Sequence, residues 1–368
     1  MTSARLPRDL HPVAWWLWAG GLAVASSFTT NPVTLILLCA AAAVVVLARR
    51  SDQPWSRAFS LYLGLAAVIV ALRVGFRVLL GGGGEGTVLL WLPEIPLPEW
   101  VLGIRLLGPV TRESLLAGLY DGLRLAAIVV AIGAANALAN PKRLLKSMPS
   151  ALYEIGTALV VSITVLPQLA VSLRRVRAAQ RLRGGADGRV RRLQGLLVPV
   201  LEDALDRSVA LAAGMDTRGY GRVAGVGLRE RRVTGALLIA GLVGILVGSY
   251  AVLDRTAPRV LAAPMLLLGL ASAAVGLVAS GRRVRRTRYR PDPWQAPETM
   301  VALIGVSVAV LGWLVARREP FAAYSSVETW PVTSAVALLA VLVAALPAIV
   351  APPPVLAGAG DVWIGGRP

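Results

Sequence analysis

Two arginine–glycine steps carry the most specific chemistry in this chain. Arg183-Gly184 closes the basic stretch RRVRAAQRLRGG, and Arg218-Gly219 lies in AAGMDTRGYGR. A guanidinium presents a planar fork of donors that grips a carboxylate through two charge-assisted hydrogen bonds, a geometry lysine does not reproduce. Glycine just past a helix readily takes the left-handed conformation that ends it, and arginine in the last turn suits the negative end of the helix dipole. Either step alone is explained as a cap. Two of them, each on a basic segment of helix length, point to an anchoring role for the arginines. Other chemistry is thinly provided. His11 is the only histidine and Cys39 the only cysteine, so neither a disulfide framework nor a cysteine- or histidine-based metal or catalytic site is expected, and no cofactor. The G-x-x-x-x-G-K-[ST] loop that cradles nucleotide phosphates does not occur, and the run GGGGEG at 81–86 reads as a flexible linker. Glu202, Asp203 and Asp206 suggest a carboxylate cluster, but Arg207 beside them favours a solvated or partner-facing side. Arg73 and Arg77, one turn apart near the end of an apolar run, read as snorkelling toward the interface rather than as an ion path.

The elements that must position these residues are set by composition. Of 368 residues, 56% are hydrophobic and only 16% charged, with a mean hydropathy of +0.67. That profile predicts an all-α polytopic membrane protein. The net charge of +18 would suggest nucleic acid in a soluble protein. Here the arginines cluster at the ends of apolar runs, the pattern by which cytoplasmic loops retain positive charge, so no nucleic acid is expected. No cleavable signal is expected either; insertion should begin with the first spanning helix.

Apolar runs long enough to span about 30 Å of hydrocarbon occur at 13–30, 32–48, 57–80, 114–139, 233–253, 260–280, 298–316 and 332–350, which predicts about eight spans. Asn31-Pro32 divides the first two by a tight turn, with Pro32 suited to a first helical position. Between 81 and 110, WLPEIPLPEW and three glutamates stand against a single arginine, Arg105, which predicts a short extracellular hairpin. Arg49, Arg50 and Arg57, then Lys142, Arg143 and Lys146, then Arg229, Arg231 and Arg232, and finally six arginines within 282–290 are assigned to the cytoplasm. A multi-pass protein of the bacterial plasma membrane with both termini in the cytoplasm is then expected. Arg317 and Arg318, at an outer end, run mildly against the rule.

Residues 149–222 resist assignment as ordinary spans. The stretch 151–166 is apolar all round apart from Glu154, yet basic clusters flank it on both sides. A full crossing would put Arg174, Arg175, Arg177, Arg181 and Arg183 outside, so a tilted helix low in the membrane is expected. The following segment is amphipathic: Leu193, Leu196, Leu197, Val200, Leu201, Ala204, Leu205, Ala212 and Met215 recur at three- and four-residue steps. Gly184, Gly185 and Gly188 supply the turn between the two helices.

These residues resemble a known family. AAGMDTRGYG is similar to the AMEARGY signature of the transmembrane T component of energy-coupling factor (ECF) importers, the EcfT/CbiQ family. RAAQRLRGG resembles that family's earlier arginine–glycine motif. The likeness covers about 11–253, including Asn31-Pro32, and is strongest at 174–222. Asp216-Thr217 stands where Glu-Ala is usual, which keeps the acidic residue.

The resemblance implies a non-catalytic scaffold that joins two cytoplasmic ABC-type ATPases (EcfA/CbiO-like) to a small substrate-binding S component in the lipid bilayer. ATP hydrolysis would belong to the partners, and the cargo would be a vitamin or a transition-metal ion such as cobalt. Carried over, Arg183, Gly184, Arg218 and Gly219, with Met215, Asp216 and Tyr220, would contact the ATPases. Leu196, Leu197, Val200, Leu201, Ala204 and Leu205 would pack the S component. The expected organisation is N-terminal membrane helices at 1–148, a coupling-helix region at 149–222, further membrane helices at 223–280, a basic cytoplasmic linker at 281–297, and a C-terminal helix pair with a proline-rich tail at 298–368. Residues 254–368 extend past the resemblance. Alternatives from other classes are a stand-alone membrane enzyme or channel, or an anchor for another cytoplasmic partner. The first two lack a convergent set of polar groups within the spans.

Overall fold

A computed structural model describes residues 7–52, 58–80, 86–93, 95–96, 105–147, 153–182, 189–219, 228–254, 258–283 and 292–354. In chain order the elements are α1 (Pro12–Ser27), α2 (Pro32–Arg49), α3 (Phe59–Leu79), β1 (Val88–Trp91), β2 (Ile95–Pro96), β3 (Arg105–Leu106), β4 (Pro109–Thr111), α4 (Arg112–Leu138), α5 (Pro141–Lys146), α6 (Tyr153–Leu182), α7 (Arg189–Asp216), α8 (Leu228–Leu253), α9 (Arg259–Arg283), α10 (Ala296–Arg318), α11 (Pro320–Ala323), α12 (Ala335–Ala345) and α13 (Pro347–Val350). The architecture is the all-α polytopic one that the composition predicts, with seven helices among the described residues long and apolar enough to cross a membrane.

Six of the eight runs read from sequence are among those seven. The first, 13–30, yields a helix of 16 residues, and the last, 332–350, yields α12 and α13, separated at Pro347, whose ring lacks the N–H that would continue the ladder. The seventh is α6. Pro167 lies inside α6 without ending it, and from Ile155 to Leu173 no charged residue interrupts the helix. By length and composition alone it qualifies with the candidate spans; the course expected for it from sequence is that of a tilted helix low in the membrane.

The chain divides into two compact units, 1–144 with 291–368, and 145–290. In unit 1, α1 is the central helix, packed by α10, α4 and α2. Its residues Trp15, Trp18, Ala19, Leu22 and Ala25 are buried. Small residues allow this. A Cβ placed on Gly21 would lie 2.0 Å from the Gly305 carbonyl oxygen, so the α1 and α10 backbones touch. The indole of Trp18 donates to Ala344 O at 3.1 Å, which brings α12 onto the same core.

The α1–α2 turn is organised by Asn31, fully buried. Its Oδ1 accepts from Val33 N (3.0 Å) and Thr34 N (3.4 Å), capping α2. Its Nδ2 donates to Ala322 O and Val332 O, each at 2.9 Å, and so binds the connection between α10 and α12. At the opposite end of α1, Glu298 is 1% exposed and receives Arg8 Nη2 at 2.6 Å and the Gln295 backbone at 3.2 Å. Arg143 grips Asp292 with a two-oxygen contact at 2.6 Å, and Arg49 donates to Ala348 O. The segments expected to form extracellular structure do pair: β1 with β4 and β2 with β3, both antiparallel.

In unit 2, α8 and α9 form a hairpin with near-contact of backbones. A Cβ on Gly244 would meet Gly269 Cα at 2.8 Å, and one on Gly241 would meet Ala273 N at 2.7 Å. Ser272 Oγ donates across to Leu237 O at 2.8 Å. The second pair of this unit, α6 with α7, is the candidate site.

Candidate functional site

The two long helices α6 and α7, 30 and 28 residues, are each about 40–45 Å long at 1.5 Å per residue. Within the apolar part of α6, Ser162 and Thr164 return their hydroxyls to the carbonyls of Ala158 and Val160, so neither adds an unsatisfied donor. The antiparallel pairing of the two helices is fixed at both ends of their contact. Gly195 leaves room for Gln180, whose Nε2 lies 2.8 Å from where a Cβ would stand. Further along, the buried Ser172 hydroxyl donates to the Asp203 carboxylate.

Asp203 also pairs with Arg207 one turn on, at 2.9 Å. The Ser172 hydrogen bond first, then the Arg207 hydrogen bond and charge and the charge of Arg175, hold this carboxyl below the ordinary aspartate range. From sequence Asp203 reads as part of a solvated or partner-facing side; about one third exposed, it also bonds Ser172 and so registers α7 on α6. Ser172 was missed altogether. The available signal was a lone hydroxyl at the end of an apolar run, opposite an acidic residue of the next helix. Among the described residues no three His, Cys, Asp or Glu side chains converge.

The six apolar residues expected to act as one packing face divide between two. Leu196, Val200 and Ala204 are half-buried and lie on the side of α7 that carries Asp203, toward α6. Leu197, Leu201 and Leu205 are exposed, at 49%, 58% and 64%. Successive residues turn by about 100°, so this second set forms a stripe adjoining the first, extended by Val198 and Val209, also exposed. A contiguous apolar stripe on a helix too polar to count among the spans marks a surface to be covered.

The second arginine–glycine step ends α7 as a cap. Thr217 N bonds Ala213 O at 3.1 Å, Arg218 N bonds Met215 O at 3.1 Å, and Gly219 N bonds Asp216 O at 2.9 Å. Gly219 has φ +74°, the left-handed conformation a side chain would resist. Asp216 and Arg218 are exposed and Met215 is half-buried, so the arginine at the helix end is open to its surroundings. Of the other residues expected at this site, Arg183, Gly184 and Tyr220 lie outside the described residues, as does the glycine turn at 184–188; α6 is described to Leu182, which is 90% exposed.

Fold and site together define a multi-pass helical membrane protein that presents a long helical hairpin with an arginine at the tip of its second arm. The sequence model of the cobalt transport protein (CbiQ) family matches residues 3–225, well over half of the chain. The chain therefore belongs to the CbiQ family, a family of transport proteins, as the arginine–glycine motifs predict. No curated protein matches it. The match ends beyond α7, so α8 to α13 lie outside it; of these, α10, α12 and α13 are built into the core of unit 1 with the matched helices.

Proposed function

We propose that this chain is the transmembrane scaffold of an ECF-type ABC importer. In this reading it carries the movement of two cytoplasmic ATPases to a membrane-embedded S component that binds a micronutrient, a vitamin or a transition-metal ion. The chain itself is non-catalytic, with both termini and the tips of α6 and α7 in the cytoplasm. The observation that carries the reading is the end of α7: an exposed Arg218 immediately before a left-handed Gly219. Such an end gives an acidic groove a guanidinium it can grip in a fixed direction, with no following side chain in the way.

The remainder of the site supports the same assignment. The Ser172–Asp203 hydrogen bond and the Gly195–Gln180 approach hold α6 and α7 as one lever, so force at the tip is transmitted along the pair. The outward stripe of Leu197, Leu201 and Leu205 offers an apolar partner a surface on the arm that moves. Arg183 and Arg218 then contact one ATPase each, with Gly184, Met215, Asp216, Gly219 and Tyr220 lining the contacts.

The test is co-purification with candidate ATPases and an S component. Arg183→Glu combined with Arg218→Glu should abolish assembly and ATP-driven uptake while membrane insertion is unchanged. A double variant that still assembles and transports defeats the assignment.

A further inference from the structure

A second surface, in unit 1, has no role in the reading above. Between α3 and α4 lies a groove of about 700 Å³ lined by Ile69, Leu72, Arg73, Phe76, Arg77, Leu125 and their neighbours. It is apolar except for the two arginines. Arg77 pairs with Asp121 at 3.5 Å, both about half exposed. Arg73 is exposed and makes no hydrogen bond or ion pair to any described residue. The groove therefore joins an apolar trough to a net positive rim.

The depth of that rim follows from contacts within the unit. The 18 residues of α2 span about 27 Å, close to the hydrocarbon thickness, so the turn at Asn31-Pro32 marks one interface and Arg49 the other. Arg124 donates to Ser27 O beside that turn, which sets the middle of α4 level with it. Two residues nearer the start of α4, a Cβ on Gly122 would meet Arg73 Cβ at 3.3 Å, and on Gly118 it would meet Arg77 Cγ at 2.8 Å. Both arginine stems thus lie over a glycine crossing of α3 and α4, at or just beyond the interface. Leu125, Ile128 and Val129 extend from there into the hydrocarbon. Snorkelling explains why such arginines are tolerated; it does not explain an apolar trough beneath an unpartnered guanidinium.

The geometry points to a binding site for an anionic glycerophospholipid: the phosphate between Arg73 and Arg77, and an acyl chain along Leu72, Leu125, Ile128 and Val129. Charge and depth together select this occupant. A partner helix would bring apolar side chains to the trough and leave Arg73 without an anion, whereas a phospholipid supplies both parts at this spacing. The leaflet is that of the β1–β4 hairpin, which is the outer one under the topology proposed above; the site itself does not depend on the ATPase contacts.

The full chain, alone in nanodiscs, would be photolabelled with diazirine-tailed phosphatidylglycerol or phosphatidylcholine and its peptides mapped by mass spectrometry. The anionic probe should label residues 69–80 and 125–129 in preference to the zwitterionic one. Arg73→Gln should lower that labelling about fivefold and Arg73→Lys should largely retain it. Because Arg73 has no partner among the described residues, both variants should fold, which the unchanged labelling of other helices would verify. Equal labelling by the two probes, or undiminished labelling of Arg73→Gln, overturns the lipid site and leaves the groove to a protein partner. Neither result bears on Arg183 and Arg218, whose test reads assembly.

Discussion

The polar side chains of unit 1 and those of α7 are set to opposite uses. In unit 1, Asn31, Glu298 and Arg143 tie segments about 300, 290 and 150 positions apart in the chain, and they do so at the ends of helices that share one buried core. On α7, one carboxylate, Asp203, registers the helix on its neighbour, and the exposed leucines and Arg218 face outward. The first arrangement completes a structure from within. The second leaves one to be completed by something else. For a protein of a transport family this difference is the division between a frame and a handle.

The sharpest way to break the comparison is at the frame's closest approach. Gly21→Leu places a side chain where the Gly305 carbonyl stands, and should destabilise unit 1 by roughly 3 kcal/mol or more, the upper range for overpacking a fitted interior. Thermal unfolding in detergent would show it. Asn31→Leu removes the α2 cap and leaves the Ala322 and Val332 carbonyls without their donor. The expected loss is about 2–4 kcal/mol, from a cap of roughly 1 kcal/mol and unsatisfied acceptors at about 1–3 kcal/mol. Asn31→Asp keeps the cap but turns a carboxylate oxygen on those carbonyls, so it should rescue little. Arg8→Ala strands the buried Glu298 carboxylate, at a cost of about 3 kcal/mol, the lower end of what breaking a buried pair entails.

Effects on the handle should be smaller and of another kind. The Asp203 carboxyl is held below its usual range, so its contribution to the α6–α7 pairing is present above the ordinary aspartate pKa of about 3.9 and is lost as pH falls through the lowered value. A distance measurement between labels on the two helices should therefore stay constant from neutral pH to about 4 and lengthen only below it. In Asp203→Asn the pairing should be loosened already at neutral pH. Smallest of all, Leu201→Ser should change the stability of the chain by less than about 0.5 kcal/mol, yet weaken co-purification with a membrane partner. A large stability loss in that variant would mean that α7 is part of the frame after all.

The elements that were legible in the sequence are those governed by local chemistry. Asn31-Pro32 announces a capped helix start, and Arg218-Gly219 announces a helix end; both rules operate within four residues. The paired strands between residues 86 and 111 follow from their prolines and alternation in the same way. Long-range placement was not legible. Nothing in 298–316 says that α10 lies along α1, because a helix apolar all round has no single face to point with, and Gly21 and Gly305 make their interface by what they lack. The expected single face of α7 split for a related reason: Leu196 and Leu197 are equally apolar, and only the partner helix decides which of them it covers. At the candidate site, sequence supplied the terminal arginine but not the Ser172–Asp203 contact that ties its arm to α6.

The place of α1 has a consequence for how the molecule is made. It is made well before its main neighbour and is the most enclosed helix in its unit; that neighbour, α10, ends some 290 residues later. At about 5–20 residues per second, synthesis takes roughly 15–60 s to deliver that partner. Throughout that interval the helices of unit 2 are threaded into the bilayer while the glycine side of α1 and the donors of Asn31 wait unmatched. A ribosome that stops after the arginine–glycine motifs would release every residue of the family match and still leave an unfinished core, so a translation pause or premature stop late in the gene should send the whole chain, handle included, to membrane proteolysis.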